Sequence, residues 1–197
     1  MTVLILALVS FATGALLAAL TSHSPLPVGL VGAVLMVGAS LAARRRWKLP
    51  QADAPGSPER ALWIGLGTSA TVLGHMLVSL WLLGPDLDLH TRSGHALGVD
   101  SWTLVLGGAI AWWVVRDRDP RRDERDAAID ALGLRWQYAS LLALLLPSIY
   151  ILGFIEPSRS AMSRPLIAHL VIAAVIASVV IGQALRLHIY RRDSRPA

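Results

Sequence analysis

The chain has 197 residues, of which 54% are apolar and 16% charged, with a net charge of +5 and a mean hydropathy of +0.56. A water-soluble domain carries nearer a quarter of its residues as charges, so this composition describes a membrane protein. Cysteine is absent, which excludes a disulfide framework, a thiolate metal site and thiol catalysis.

A helix crossing a bilayer needs about 20 mostly apolar residues, because about 30 Å of hydrocarbon is covered at 1.5 Å per residue. Segments Thr2–Leu20, Leu26–Ala43, Ala61–Leu83, Ala96–Val115, Gln137–Ile155 and Pro165–Leu187 meet this requirement. The expected fold is therefore an all-α integral membrane bundle of six transmembrane helices in three hairpins, with residues 1–197 as one membrane domain.

The first segment opens MTVLIL without a positive stretch, so it reads as a retained helix and not a cleaved signal. The second runs into Arg44, Arg45, Arg46 and Lys48, and QADAPGSP at 51–58 reads as a flexible loop. On the third, Thr68, Thr71, His75 and Ser79 fall within an arc of about 80° at 100° per residue, a polar stripe expected to face the bundle interior. The plain reading of His75, and of His169 on the sixth segment, is a neutral imidazole hydrogen-bonded to a neighbouring helix. A solute or ion path and a bis-histidine haem are the alternatives.

The loop PDLDLHTRSGH sets Asp86, Asp88 and His90 at alternating positions with His95 nearby, a spacing that could hold a divalent metal in an extended segment. The simpler reading is a solvated loop with Asp100 capping the fourth helix. No Asp, Glu, Lys or Arg is expected well inside any span, which counts against a proton- or cation-coupled pump. There is no activated serine elbow and no glycine-rich phosphate loop, so no residue is assigned as catalytic and no cofactor is predicted.

Residues 121–142, RRDERDAAIDALGLRWQYASLL, join a charged stretch to an apolar one without a stop signal. Asp119 suits an N-cap and Pro120 the first helical position, with Asp123 and Glu124 in the favoured opening turns. Arg125, Ile129, Leu132 and Trp136 recur at helical spacing as an edge that can lie on the membrane surface, while Asp126 and Asp130 point toward water. Arg122 and Asp126 form an i,i+4 pair, Gly133 offers a bend, and Trp136 and Tyr138 begin an aromatic belt. The stretch is thus either a connector that fixes topology or a docking surface made of Asp123, Glu124, Arg125, Asp126, Ile129, Asp130, Arg135 and Tyr138. On the sixth segment His169 and Gln183 share a face, and Ala174, Ser178 and Gly182 make a small-residue packing seam on nearly the opposite one.

Basic residues decide orientation. They concentrate after the second segment, after the fourth and in the tail, whereas the other loops hold only Arg92, Arg159 and Arg164, so both termini are expected in the cytoplasm. These bases hug the membrane ends, so lipid headgroups are expected partners and nucleic acid is not.

Asp123-Glu124-Arg125-Asp126 with Ile129, Arg135, Tyr138 and Leu141, together with Arg186 and Tyr190-Arg191-Arg192, resembles the D-E-R-D signature and basic tail of a family of small prokaryotic multi-pass membrane proteins catalogued as a domain of unknown function. The likeness spans residues 61–192 with the motif at 123–141, and leaves 2–43 as an extra N-terminal hairpin. Asp193 stands where the family pattern has glycine. The resemblance implies a prokaryotic inner membrane and a regulatory partner such as a small cytoplasmic transcriptional regulator, or another membrane protein. The function expected first is a non-enzymatic regulatory or accessory membrane protein acting through its cytoplasmic surface. The second is a small transporter or channel whose path follows the third-helix stripe at His75.

Overall fold

Each of the six apolar stretches becomes one helix in the computed structural model, which describes residues 2–21, 27–49, 55–84, 87–117, 123–154 and 162–193. The helices are α1 (Thr2–Thr21), α2 (Val28–Trp47), α3 (Ser57–Leu83), α4 (Arg92–Val115), α5 (Glu124–Phe154) and α6 (Arg164–Asp193). All six are long and apolar enough to cross a membrane.

Their ends follow local chemistry. Gly56 precedes α3 and Pro58 sits in its first turn, where a missing N–H costs no hydrogen bond. Gly84 ends α3 at φ +74, a left-handed conformation that a side chain would resist, and donates its N–H to the Leu80 carbonyl. Thr91 caps α4 by accepting the Gly94 N–H. The Ser163 hydroxyl accepts the Leu166 N–H at the start of α6 and donates to the Leu87 carbonyl, tying α6 to the segment before α4.

α3 is the hub and packs on α1, α4 and α6, while α2 packs chiefly on α4 and α5 substantially only on α6. The pairing departs from three simple hairpins, because α1 and α2 touch each other little and each instead packs on the helix two places further along the chain. Small residues are the physical reason. Gly14 lies against the Thr71 carbonyl and Gly74 against the Phe11 carbonyl between α1 and α3, and between α2 and α4 Gly29 lies against the Asp100 backbone and Gly107 against Ala33. Without water to drive apolar association, such backbone proximity supplies the attraction between helices.

Val3 clusters with Leu66, and Gly14 meets Thr71, so α1 and α3 run in the same direction. α6 runs against them, with Leu187 beside Leu66 and Arg191 beside Glu59. The described chain ends therefore meet at one end of the bundle, which also carries Arg44, Arg45 and Arg46 and is called here the basic end. α5 and α6 have 31 and 30 residues. At 1.5 Å per residue each is longer than crossing an about 30 Å hydrocarbon layer requires.

Candidate functional site

The polar stripe of α3 turns inward. Thr71 and Ser79 are buried, and His75 is 0% exposed. The Thr71 hydroxyl donates to the Gly67 carbonyl and that of Thr68 to the carbonyls of Ile64 and Gly65, so their protons are used within the helix while oxygen lone pairs remain. His75 differs: among the described residues neither its Nδ1 nor its Nε2 has a hydrogen-bond partner. The expected bond to a neighbouring helix is not formed.

Facing it across the bundle is α4. Gly108 packs on Thr68, and Val72 shares a cluster with Leu104. Continuing this antiparallel register brings Ser101 level with His75, and the Ser101 hydroxyl is likewise buried without a partner. Asp100, the next residue, is 6% exposed. It does not cap α4, a task performed by Thr91, but lies about 12 Å along the helix by rise per residue. Its Oδ1 accepts the Gly29 N–H at 2.9 Å and its Oδ2 the Thr21 hydroxyl at 3.4 Å. The carboxylate thus serves α2, whose N-terminal turn has donors no residue of its own helix can satisfy. The segment before Ala96, read from sequence as a loop, is already helical from Arg92, so Asp100 lies in the third turn of α4.

Below His75, toward the basic end, α1, α2 and α3 leave a crevice of about 240 Å³ between them. Ser10, Thr13, Thr68 and Thr71 supply its hydroxyls, and Leu17, Leu35, Met36 and Ile64 its apolar walls. Thr71 is a lining residue, and His75 stands one helical turn beyond it on the same face. The hydroxyls of Thr13, Thr68 and Thr71 all bond back to their own helices, so they present lone pairs to the crevice.

No family model, curated protein or solved structure matches this chain.

At the basic end the acidic motif makes contacts within the molecule. Asp119, Pro120 and Arg122 lie outside the described residues, and the cap is formed by Asp123, which accepts the Asp126 N–H at 2.7 Å while its own N–H reaches Asp126 Oδ2. Asp126 and Asp130 are half-buried and turn toward α6. Asp126 accepts the Tyr190 hydroxyl at 2.6 Å, and Asp130 pairs with Arg186 at 3.6 Å. Arg125 does not reach out as an anchor but sits over the Tyr190 ring at 5.8 Å. Ile129 is 5% exposed, so it faces α6 and not a membrane surface. The reason is geometric: Asp126, Ile129, Asp130 and Gly133 share the i,i+3,i+4 face that packs on α6, and Gly133 leaves room for the Arg186 side chain. Glu124, Arg135 and Tyr138 are exposed, as are Leu132 and Trp136.

The remaining candidates stay apart. His169 is satisfied within its own helix, its Nδ1 lying 2.7 Å from the Pro165 carbonyl. Gln183 packs against Gly65, on the floor of a second crevice between α3, α4 and α6. On the seam of α6, Ser178 is buried and Gly182 lies against Gln137 and the Gly133 carbonyl of α5. Asp86 lies outside the described residues. Asp88 accepts the His90 N–H in a turn, and His95 is on α4, so the extended arrangement needed for alternating ligands is not present there. Among the described residues no three His, Asp or Glu side chains gather as a metal-holding group.

Proposed function

We propose that this protein is a multi-pass membrane carrier or channel for a small polar species, with its path through the bundle interior along α3. The observation that carries this reading is the hydroxyl-lined crevice beside α1, α2 and α3 that leads toward the buried, unpartnered His75. Its volume falls below the usual 300–1,000 Å³ of sites for larger ligands, which favours a species of few heavy atoms. The lining offers acceptor lone pairs and no basic side chain, so it suits a cation, a proton or a hydrogen-bond donor. The basic end is proposed to face the cytoplasm, with both termini there, following the arginine bias.

Of the eight residues of the docking reading, Asp126 and Asp130 are engaged by α6 and Ile129 is buried, while Asp123, Glu124, Arg125, Arg135 and Tyr138 are exposed. The D-E-R-D resemblance supplies a layout and no reaction, and the inner membrane of a prokaryote is proposed on that resemblance.

Because the chain has no cysteine, single cysteines report access without background. Thr13→Cys and Thr68→Cys in reconstituted protein are expected to react with a water-soluble thiol reagent much faster than Leu8→Cys, which is exposed on the outer face of α1. Equal protection of all three would refute an aqueous path.

A further inference from the structure

We propose that the groove between α4 and α6, floored by α3, seats an anionic phospholipid, with its phosphate on Arg116 and the first part of one acyl chain along the groove. The helix arrangement creates the gap. α4 and α6 each pack on α3 but hardly on each other, and α5 packs substantially only on α6, so no described helix closes it. The resulting crevice of about 260 Å³ has Val72, Val105 and Ile176 as apolar walls, with Gln183 and Trp112 toward the basic end. Ala109 and Trp112 also line it and are exposed, so it opens sideways, where acyl chains surround a membrane protein. From Gly65 to Val72 it follows α3 for about 10 Å by rise per residue. Its lining shares only Thr68 with the crevice of the proposed path, and the lipid site does not depend on that path.

The mouth of the groove supplies the charge. Gly108 against Thr68 sets an antiparallel register that puts Trp112 level with Ile64 and Arg116 level with Arg60, at the edge of the third apolar stretch. A phospholipid phosphate lies at such an edge, with its chains running inward. The Arg116 guanidinium is held over the Trp112 ring at 5.2 Å. A guanidinium stacked on a ring keeps its N–H edges for the paired oxygens of a phosphate. What singles out Arg116 is that the chain gives it no acceptor. Arg191, over Trp63, pairs with Glu59, and Arg60, over Trp47, donates to the Pro55 carbonyl. Among the described residues no carboxylate pairs with Arg116, the adjacent Asp117 included. About one turn deeper the Gln183 amide lies over Gly65, nitrogen nearest, with its oxygen buried and unpartnered among the described residues. An amide nitrogen has two N–H donors, and the ester carbonyls of a phospholipid, which only accept, lie at about that depth below its phosphate.

The test is native mass spectrometry of the purified protein in mild detergent with equal amounts of phosphatidylglycerol and phosphatidylcholine. Wild type is expected to retain phosphatidylglycerol in preference. Arg116→Gln should weaken that retention about tenfold, the effect of losing a charge-assisted hydrogen bond, whereas Arg45→Gln, which removes an exposed charge at the same end, should leave it unchanged. Ala109→Trp keeps every charge but fills the groove from an exposed position, and should abolish retention. Equal retention of the two lipids overturns the proposal, as does an Arg116→Gln loss no greater than that of Arg45→Gln, which is the behaviour of a diffuse basic surface. Undiminished retention by folded Ala109→Trp overturns it too. Excess inorganic phosphate should not displace the lipid, and displacement would refute a lipid site in favour of a free-anion site. If Ala109→Trp proves unfolded by circular dichroism, the contrast between the two arginine variants still decides.

Discussion

At the scale of single residues, the unpartnered state of His75 reverses the usual expectation for a buried polar side chain. Replacing an imidazole that makes a good hydrogen bond costs about 1 kcal/mol, whereas replacing one that makes none relieves a desolvation penalty of similar size. His75→Leu is therefore expected to keep or raise the melting temperature in detergent. A clear drop in melting temperature would show that the imidazole is bonded. Gly14→Val should act in the opposite way, because its side chain would meet the Thr71 carbonyl and the His75 backbone N–H. Overpacking of this kind costs about 1–3 kcal/mol, and backbone cannot move aside as a side chain can, so loss of monodisperse protein is expected in size-exclusion chromatography. The stripe Thr68, Thr71, His75 and Ser79 was legible from period alone. Asp100 was not, because its partners Gly29 and Thr21 lie about 70 and 80 positions away and no local pattern encodes them.

At the scale of elements, α5 shows what helical periodicity can and cannot say. The continuity of its charged and apolar parts is correct: one helix of 31 residues carries both, with Pro147 inside it. The same periodicity placed Ile129 on one edge and Asp126 and Asp130 on another, but it could not say which edge meets a protein neighbour. α6 decides, since its Tyr190 and Arg186 match the two carboxylates and Gly133 lets the helices close together. Tyr190→Phe should cost about 1 kcal/mol, the scale of a hydrogen bond to a charged acceptor discounted for partial solvent access. Gly133→Leu should cost more, because it drives the Arg186 side chain out of its place and separates α5 from the helix that holds it. The double change of Asp126 and Asp130 to Asn, which would be silent in a free connector, is expected to lower the melting temperature in the absence of any partner. Unfolding followed by circular dichroism in mild detergent orders these variants. If Gly133→Leu melts with wild type, the α5–α6 contact is not what the packing indicates.

At the scale of the whole molecule, the alternation of six helices puts Arg44–Arg46, the start of α5 and the end of α6 at one end, and the turn at 88–91 at the other. Reporters fused in the 50–54 loop and at Asp88 should accordingly read opposite sides of the membrane, and the same side for both would exclude this topology. That the chain is all-helical, that it has six segments fit for a bilayer and roughly where each begins were determined by the sequence itself, because apolar length and charge placement are properties of consecutive residues. Which helices touch was decided only by the tertiary structure. Connection order suggested α1 beside α2, yet close approach at glycines set α1 on α3 and α2 on α4. The same packing sets Asp100 against Gly29 and Thr21 and Tyr190 against Asp126. Such pairings depend on the shape of two surfaces at once, and each surface is spread over residues several turns apart on separate helices.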